Sequence, residues 1–290
     1  MPPLFFPDNP QFWYETLRTF GHIAYGGADF GEVVITCQRI TAGDYDSWHD
    51  EWPATADRAA TEGRQAAALF APVIQPVEIP YEGTVLPGYL YRADDSATAR
   101  PTVVMHNGFD GTVEEMHFFG AAAAAAVERG YTVLTFDGPG QPGTRHHQSL
   151  MFRPDWENVV GPVLDYALTR PEVDGTRAAL LGCSMGGLLA PRAAAFDQRV
   201  AALIALDGVY DLSDISTAPL PFARAEAERR LRAEHDPELD AIMTASMAAA
   251  PMLRWAVEHG MYAMGSETPR AFGAAYLDYH LRDGIAEKIA

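Results

Sequence analysis

Leu180-Leu181-Gly182-Cys183-Ser184-Met185-Gly186-Gly187 is an apolar run that ends in Gly-x-Ser-x-Gly. A serine lifted above the end of a buried strand needs a turn with strained backbone angles, and such a turn demands glycine two residues before and two after it. Gly182 and Gly186 meet that demand. The flanks agree: residues 177–181 read as a buried strand, and Leu188-Leu189-Ala190-Pro191-Arg192-Ala193-Ala194-Ala195 reads as the start of a helix. Ser184 is therefore a candidate nucleophile. The Met185 N–H would then sit at a helix N-terminus, facing any oxyanion formed at Ser184. The plainer reading of the same residues is a glycine-rich turn with an inert serine.

Strands and helices alternate outward from this turn. Residues 101–106 read as strand, 112–129 as helix, 131–136 as strand, 155–169 as helix and, after the elbow helix, 200–206 as strand. That alternation predicts right-handed crossovers and an α/β fold, a mostly parallel sheet with helices on both faces. Upstream, period-two alternation over 73–92 with Glu82-Gly83 between the two runs predicts a β-hairpin. Helical spacing in Trp13, Leu17 and Phe20, and again across Trp48 and Trp52, predicts a helical lead-in. Past Asp211 the strand signal stops, and a methionine-rich helical stretch to about Leu281 predicts a cap over the sheet. The expected organisation is an N-terminal helical segment over 1–72, a core over 73–210 and a helical cap over 211–290.

The strand over 101–106 leads into Asn107-Gly108-Phe109-Asp110-Gly111, and Thr112-Val113-Glu114-Glu115 has the spacing of a capping box. In this architecture that loop supplies a second oxyanion donor, with Gly108 letting the backbone turn so that the Phe109 N–H points at the site. The competing reading is an ordinary strand-to-helix turn in which Asp110 favours the helix N-terminus. Asp137-Gly138-Pro139-Gly140-Gln141-Pro142-Gly143 reads as a rigid bend at the same ends of the sheet, with Asp137 bonded within its own turn. His146 and His147 lack a cysteine or carboxylate at ligand spacing and read as loop residues. No metal and no cofactor are expected.

With 290 residues, 48% hydrophobic and 21% charged, the chain has material for a large core. Its net charge of −18 would repel phosphate backbones and anionic lipid, which argues against nucleic-acid and membrane partners. Cys37 and Cys183 are the two cysteines, and a disulfide at Cys183 would obstruct the serine, so a reducing cytoplasm fits. The start, Met1-Pro2-Pro3-Leu4-Phe5-Phe6-Pro7-Asp8, lacks a basic leader, and no apolar run approaches the ~20 residues of a membrane helix. A soluble, unprocessed cytoplasmic protein is expected.

The Asn107-Gly108-Phe109-Asp110 loop, Phe136-Asp137-Gly138-Pro139-Gly140-Gln141, Phe152-Arg153-Pro154-Asp155-Trp156, the elbow and the Val209-Tyr210-Asp211 exit together resemble one group of α/β-hydrolases. These are the relatives of 2,6-dihydroxypseudooxynicotine hydrolase, among them fungal polyketide-shortening hydrolases and relatives of the fermentation-respiration switch protein. The resemblance covers most of the chain, lead-in included. It implies the α/β-hydrolase fold and a serine triad that cleaves a carbon–carbon bond beside a ketone, or an ester. It implies Ser184 as nucleophile, and Asp110 as counterpart of a loop carboxylate, glutamate in the nicotine-pathway enzyme, that assists the reaction. Members of the group carry the triad acid and histidine on a strand and loop that follow a segment like Arg282-Asp283-Gly284-Ile285-Ala286-Glu287-Lys288-Ile289. By that likeness both partners and the last core strands are expected beyond Ala290, with Asp207, His235, His259 and His280 as the alternatives inside the chain.

Tryptophans and methionines in lead-in and cap suit a bulky apolar or aromatic ketone or ester as small-molecule partner, and suit plain core packing equally. Two rivals stand beside the hydrolase: a hydrolase-like binding protein that has lost its triad, and a cyclase or acyl transferase in which an internal nucleophile replaces water. A homodimer is among the expected assemblies.

Overall fold

The aromatic lead-in forms three helices, α1 (Pro10–Ile23), α2 (Phe30–Arg39) and α3 (Tyr45–Ala67), in the computed structural model, which describes residues 4–23, 30–118 and 122–289. The first three residues, positions 119–121 of the expected 112–129 helix, and Ala290 lie outside the described residues. Phe6, Phe12, Val33, Cys37 and Ile40 make a small core of their own, with Phe12 edge-on to Tyr45 at 5.0 Å and against Trp48 at 4.2 Å.

The hairpin follows as β1 (Gln75–Tyr81) and β2 (Thr84–Tyr91). Glu82 and Gly83 both have positive φ, 39° and 83°, which is what a two-residue type I′ turn requires and why glycine holds the second place. Then come β3 (Arg100–His106), α4 (Glu115–Phe118), α5 (Ala122–Glu128), β4 (Thr132–Phe136), α6 (Pro142–Gln148), α7 (Glu157–Leu168), β5 (Val173–Cys183), α8 (Gly186–Ala194) and β6 (Val200–Leu206). The six strands lie in the order β1-β2-β4-β3-β5-β6, antiparallel from β1 to β4 and parallel from β4 to β6.

Alternation along the strands sorts the core onto two faces. Val103, Met105, Val133 and Leu181 cluster with Met116 and Ala123, whereas Val104, Leu134 and Leu180 cluster with Val163 of α7 and Leu188 of α8. Over β3, β4 and the end of β5 both faces are covered, as a parallel sheet needs. β6 is the edge strand of this sheet, and its Ile204 and Leu206 remain 41% and 40% exposed.

Two elements differ from the sequence reading. The expected helix over 112–129 starts only at Glu115, and the Glu115 carboxylate accepts from Asn107 Nδ2 at 3.1 Å, which ties the preceding loop. The bend over 137–143 gives way to α6, because Pro142 in the first turn already has a helical φ; Ser149, with φ 57°, ends that helix.

After β6 the chain forms α9 (Ser213–Thr217), α10 (Arg224–Leu231), α11 (Pro237–Ala249), α12 (Pro251–Met264) and α13 (Pro269–Tyr276). Asp211 holds the start of this helical part: its carboxylate accepts from Ser213 N–H at 2.8 Å and Arg224 Nη2 at 2.7 Å, and its backbone bridges His280. Val257, Phe272 and Tyr276 join the core cluster of the sheet, which docks α12 and α13 on it. Arg254 of α12 lies over the Tyr45 ring at 4.8 Å, so α12 also meets α3. Among the described residues no helix is long and apolar enough to cross a membrane.

Candidate active site

Ser184 occupies the turn between β5 and α8 with φ 59°, a region that side chains rarely adopt and that costs about 1–3 kcal/mol. Its N–H donates to Leu206 O at 3.0 Å and its carbonyl accepts from Gly187 N–H at 2.7 Å, so the strain is held from both sides. The flanking glycines are there for contact. A Cβ on Gly182 would overlap the Gly186 carbonyl, one on Gly186 would lie 2.7 Å from Asn107 O, and one on Gly187 would lie 2.5 Å from Leu206 O.

Gly108 brings the neighbouring loop onto the same turn. A Cβ there would lie 2.6 Å from Met185 N and 2.8 Å from Ser184 Cβ. The Gly108 N–H donates to Asn107 Oδ1 at 2.8 Å and is therefore spent. Among the described residues the N–H groups of Phe109 and Met185, the two sequence-predicted donors, meet no acceptor. Buried Gln141 spans from the α6 turn to this loop: its Oε1 accepts from Gly138 N–H at 2.6 Å, and its Nε2 donates to Asn107 O at 2.6 Å and Gly108 O at 3.3 Å. His106 Nδ1 bonds the same Asn107 carbonyl at 2.9 Å.

Two titratable groups are sealed beneath this loop. Burial lowers the pKa of His106 to about 4, the Asn107 bond opposing, so the ring is neutral with its proton on Nδ1. Burial, with Glu114 nearby, raises Asp137 well above the usual carboxylate range; Oδ2 accepts from Gly143 N–H at 3.0 Å and Oδ1 is buried without a partner among the described residues. The bond to Gly143 is the within-turn role read from the sequence.

Asp110 lies at the cap side of the loop. Its charge adds to the burial that pushes the Tyr276 phenol up, and it opposes the burial that lowers His259. Around it the Phe109 ring meets His259 at 4.7 Å, Tyr276 at 6.1 Å, Phe272 at 6.3 Å and Trp255 at 6.5 Å. The wall over the loop is thus aromatic and comes from α12 and α13.

Of the in-chain alternatives for a triad, two are engaged elsewhere and two are exposed. Among the described residues no histidine bonds the Ser184 hydroxyl: His259 Nε2 is 3.0 Å from Phe109 O, and His280 Nδ1 accepts from Arg282 N–H at 3.2 Å. His235 is exposed, and Asp207, at φ 77°, is exposed at the end of β6. Cys183 in the elbow and Cys37 are both free and buried. No group of three His, Cys, Asp or Glu side chains among the described residues could hold a metal. Sequence reading missed Gln141, His106 and His259 as supports of the loop; Gln141 and His106 lie in motifs already singled out, whereas His259 is 150 positions away from its partner.

Residues 103–286 match the Alpha/beta hydrolase family. Hydrolase acrC of Aspergillus aculeatus is 31% identical over 355 aligned positions that cover 98% of this chain and 81% of that protein. The 20-hydroxy-prefusarin hydrolase FUS2 of Gibberella moniliformis is 30% identical over 338 positions, covering 96% of this chain and 79% of its own. Among solved structures, 2,6-dihydroxy-pseudo-oxynicotine hydrolase superposes with a TM-score of 0.61 at 20% identity, over 93% of this chain and 78% of that one, a likeness of fold.

Proposed function

The chain belongs to the alpha/beta hydrolase family, and from that premise we propose that it hydrolyses a carbon–carbon bond beside a ketone, or an ester, in a bulky apolar or aromatic small molecule. The observation that carries this reading is Ser184 at φ 59°, with Gly108 pressing the neighbouring loop onto the Met185 N–H. In it, Ser184 Oγ attacks the carbonyl carbon as its proton passes to a general base, and the oxyanion accepts from the Met185 and Phe109 N–H groups. The leaving group departs, and water then cleaves the acyl-serine and returns the proton to Ser184 Oγ. Loss of one such donor typically costs about 10²–10³ in turnover. Ester cleavage releases an alkoxide; ketone cleavage releases a carbanion that must take a proton at carbon. We assign the delivery of that proton to Asp110, which relays it from water to the carbon. The aromatic wall from α12 and α13 favours an aromatic substrate.

One observation favours a second reading. Among the described residues no histidine bonds Ser184 Oγ, and a hydrolase-like binding protein would need none. A fluorophosphonate probe separates the two. Hydrolase function predicts a covalent adduct on Ser184, absent in Ser184→Ala; a chain that never labels, with no turnover of p-nitrophenyl esters, is a binding protein. Labelled water appearing in the products separates hydrolysis from cyclisation or acyl transfer.

A further inference from the structure

We propose that His259, carried on cap helix α12, is a positioning residue that fixes the Phe109–Asp110 peptide and so makes the oxyanion loop depend on the docked cap. This rests on the reading of Ser184 and its loop given above. A carbonyl brings no proton to a hydrogen bond, so in the 3.0 Å contact to Phe109 O the hydrogen is on His259 Nε2. That nitrogen is a donor here.

A trans peptide holds its C=O and N–H in opposite directions, so a carbonyl that is held aims the N–H of the next residue. Three successive carbonyls of this loop are held. Asn107 O is bonded by His106 Nδ1 and Gln141 Nε2, Gly108 O by Gln141 Nε2, and Phe109 O by His259 Nε2. The first two are gripped from the core, and the third only from the cap. Gln141 thereby aims the Phe109 N–H, while His259 fixes the peptide that presents Asp110.

The His259 ring is itself held. It stacks on Trp255 at 5.6 Å with 13° between planes and meets the Phe109 ring edge-on at 77°. The titratable groups near it are Asp110 on the loop and His49 on α3, while Arg254 and Glu258 of its own helix pair with each other. Burial keeps the ring neutral, and protonation would leave the Nε2–H in place. A clamp of this kind works in both protonation states, whereas a general base fails on protonation.

The test compares His259→Phe, His259→Asn and His259→Gln in the full chain. Phenylalanine keeps a ring against Trp255 but has no donor, asparagine has a donor too short to reach, and glutamine can bring its amide N–H to Phe109 O. Two readouts are taken: amide hydrogen exchange over 107–112, and the rate of Ser184 labelling by a fluorophosphonate. The Phe and Asn variants should exchange faster over 107–112 with the sheet unchanged, and label about 10–100-fold more slowly, the cost of a misplaced catalytic group. The Gln variant should return both to within about threefold of the parent. Unchanged exchange in the Phe and Asn variants overturns the clamp, and so does a Gln variant as slow as Phe with exchange intact, which would make His259 the base. If the parent never labels, the reading of Ser184 fails, while the exchange comparison still decides the clamp.

Discussion

At the scale of single residues, the strain at Ser184 separates chemistry from stability. Alanine at φ 59° keeps the backbone penalty and glycine removes it, so Ser184→Gly should be more stable than Ser184→Ala by about 1 kcal/mol, with neither labelled by a fluorophosphonate. Thermal unfolding of the pair checks this; equal midpoints would mean that the turn stores no strain. Gly108→Ala should slow labelling at least about tenfold, since its Cβ pushes the loop off Met185 N. This part of the site was legible in the sequence, because a serine at positive φ and three close backbone approaches leave glycines as their trace. The tie from His259 to Phe109 leaves none: a donor 150 positions from its acceptor obeys no local spacing rule.

At the scale of elements, the carboxyl ends of β3 and β4 each bury one titratable group, with opposite consequences. His106 has a folded pKa depressed from 6.5 to about 4, so its contribution is present above pH 6.5 and is lost as pH falls through about 4. The full loss is about 3 kcal/mol. Asp137 is raised, so its contribution is full below its ordinary value of 3.8 and is lost as pH rises through its folded value. The two slopes oppose each other in mildly acid solution. Urea unfolding from pH 4 to 7.5 should therefore show His106→Asn, which keeps a donor for Asn107 O, gaining acid tolerance, and Asp137→Asn flattening the alkaline side. Parallel profiles for parent and both variants would contradict the burial of these groups. The elements themselves were read unevenly. The hairpin follows from alternation and turn chemistry, and β6 from a short apolar run after the elbow helix. α6 hid behind a Gly/Pro-rich stretch because proline both ends and begins helices, and Glu115, expected as the third helical residue of a capping box, instead begins its helix and accepts from Asn107.

At the scale of the whole molecule, an aligned length of 355 positions against a chain of 290 residues means that acrC carries internal segments with no counterpart here. The chain nevertheless superposes on 2,6-dihydroxy-pseudo-oxynicotine hydrolase over 93% of its length with a TM-score of 0.61, a likeness of fold. The edge strand β6 adds a colloidal property. Its sequence, Val200-Ala201-Ala202-Leu203-Ile204-Ala205-Leu206, carries no charge to deter a second strand, and edges are protected chiefly by such charges. What keeps two copies apart in dilute buffer is then the −18 net charge of each, a repulsion that reaches about 30 Å at 0.01 M salt and about 3 Å at 1 M. Solubility should accordingly fall as salt is added, the reverse of ordinary salting-in: light scattering should rise between 0.01 and 0.5 M NaCl, and Ile204→Lys should abolish the rise. A scattering trace flat in salt would mean that β6 is not what limits the protein in solution.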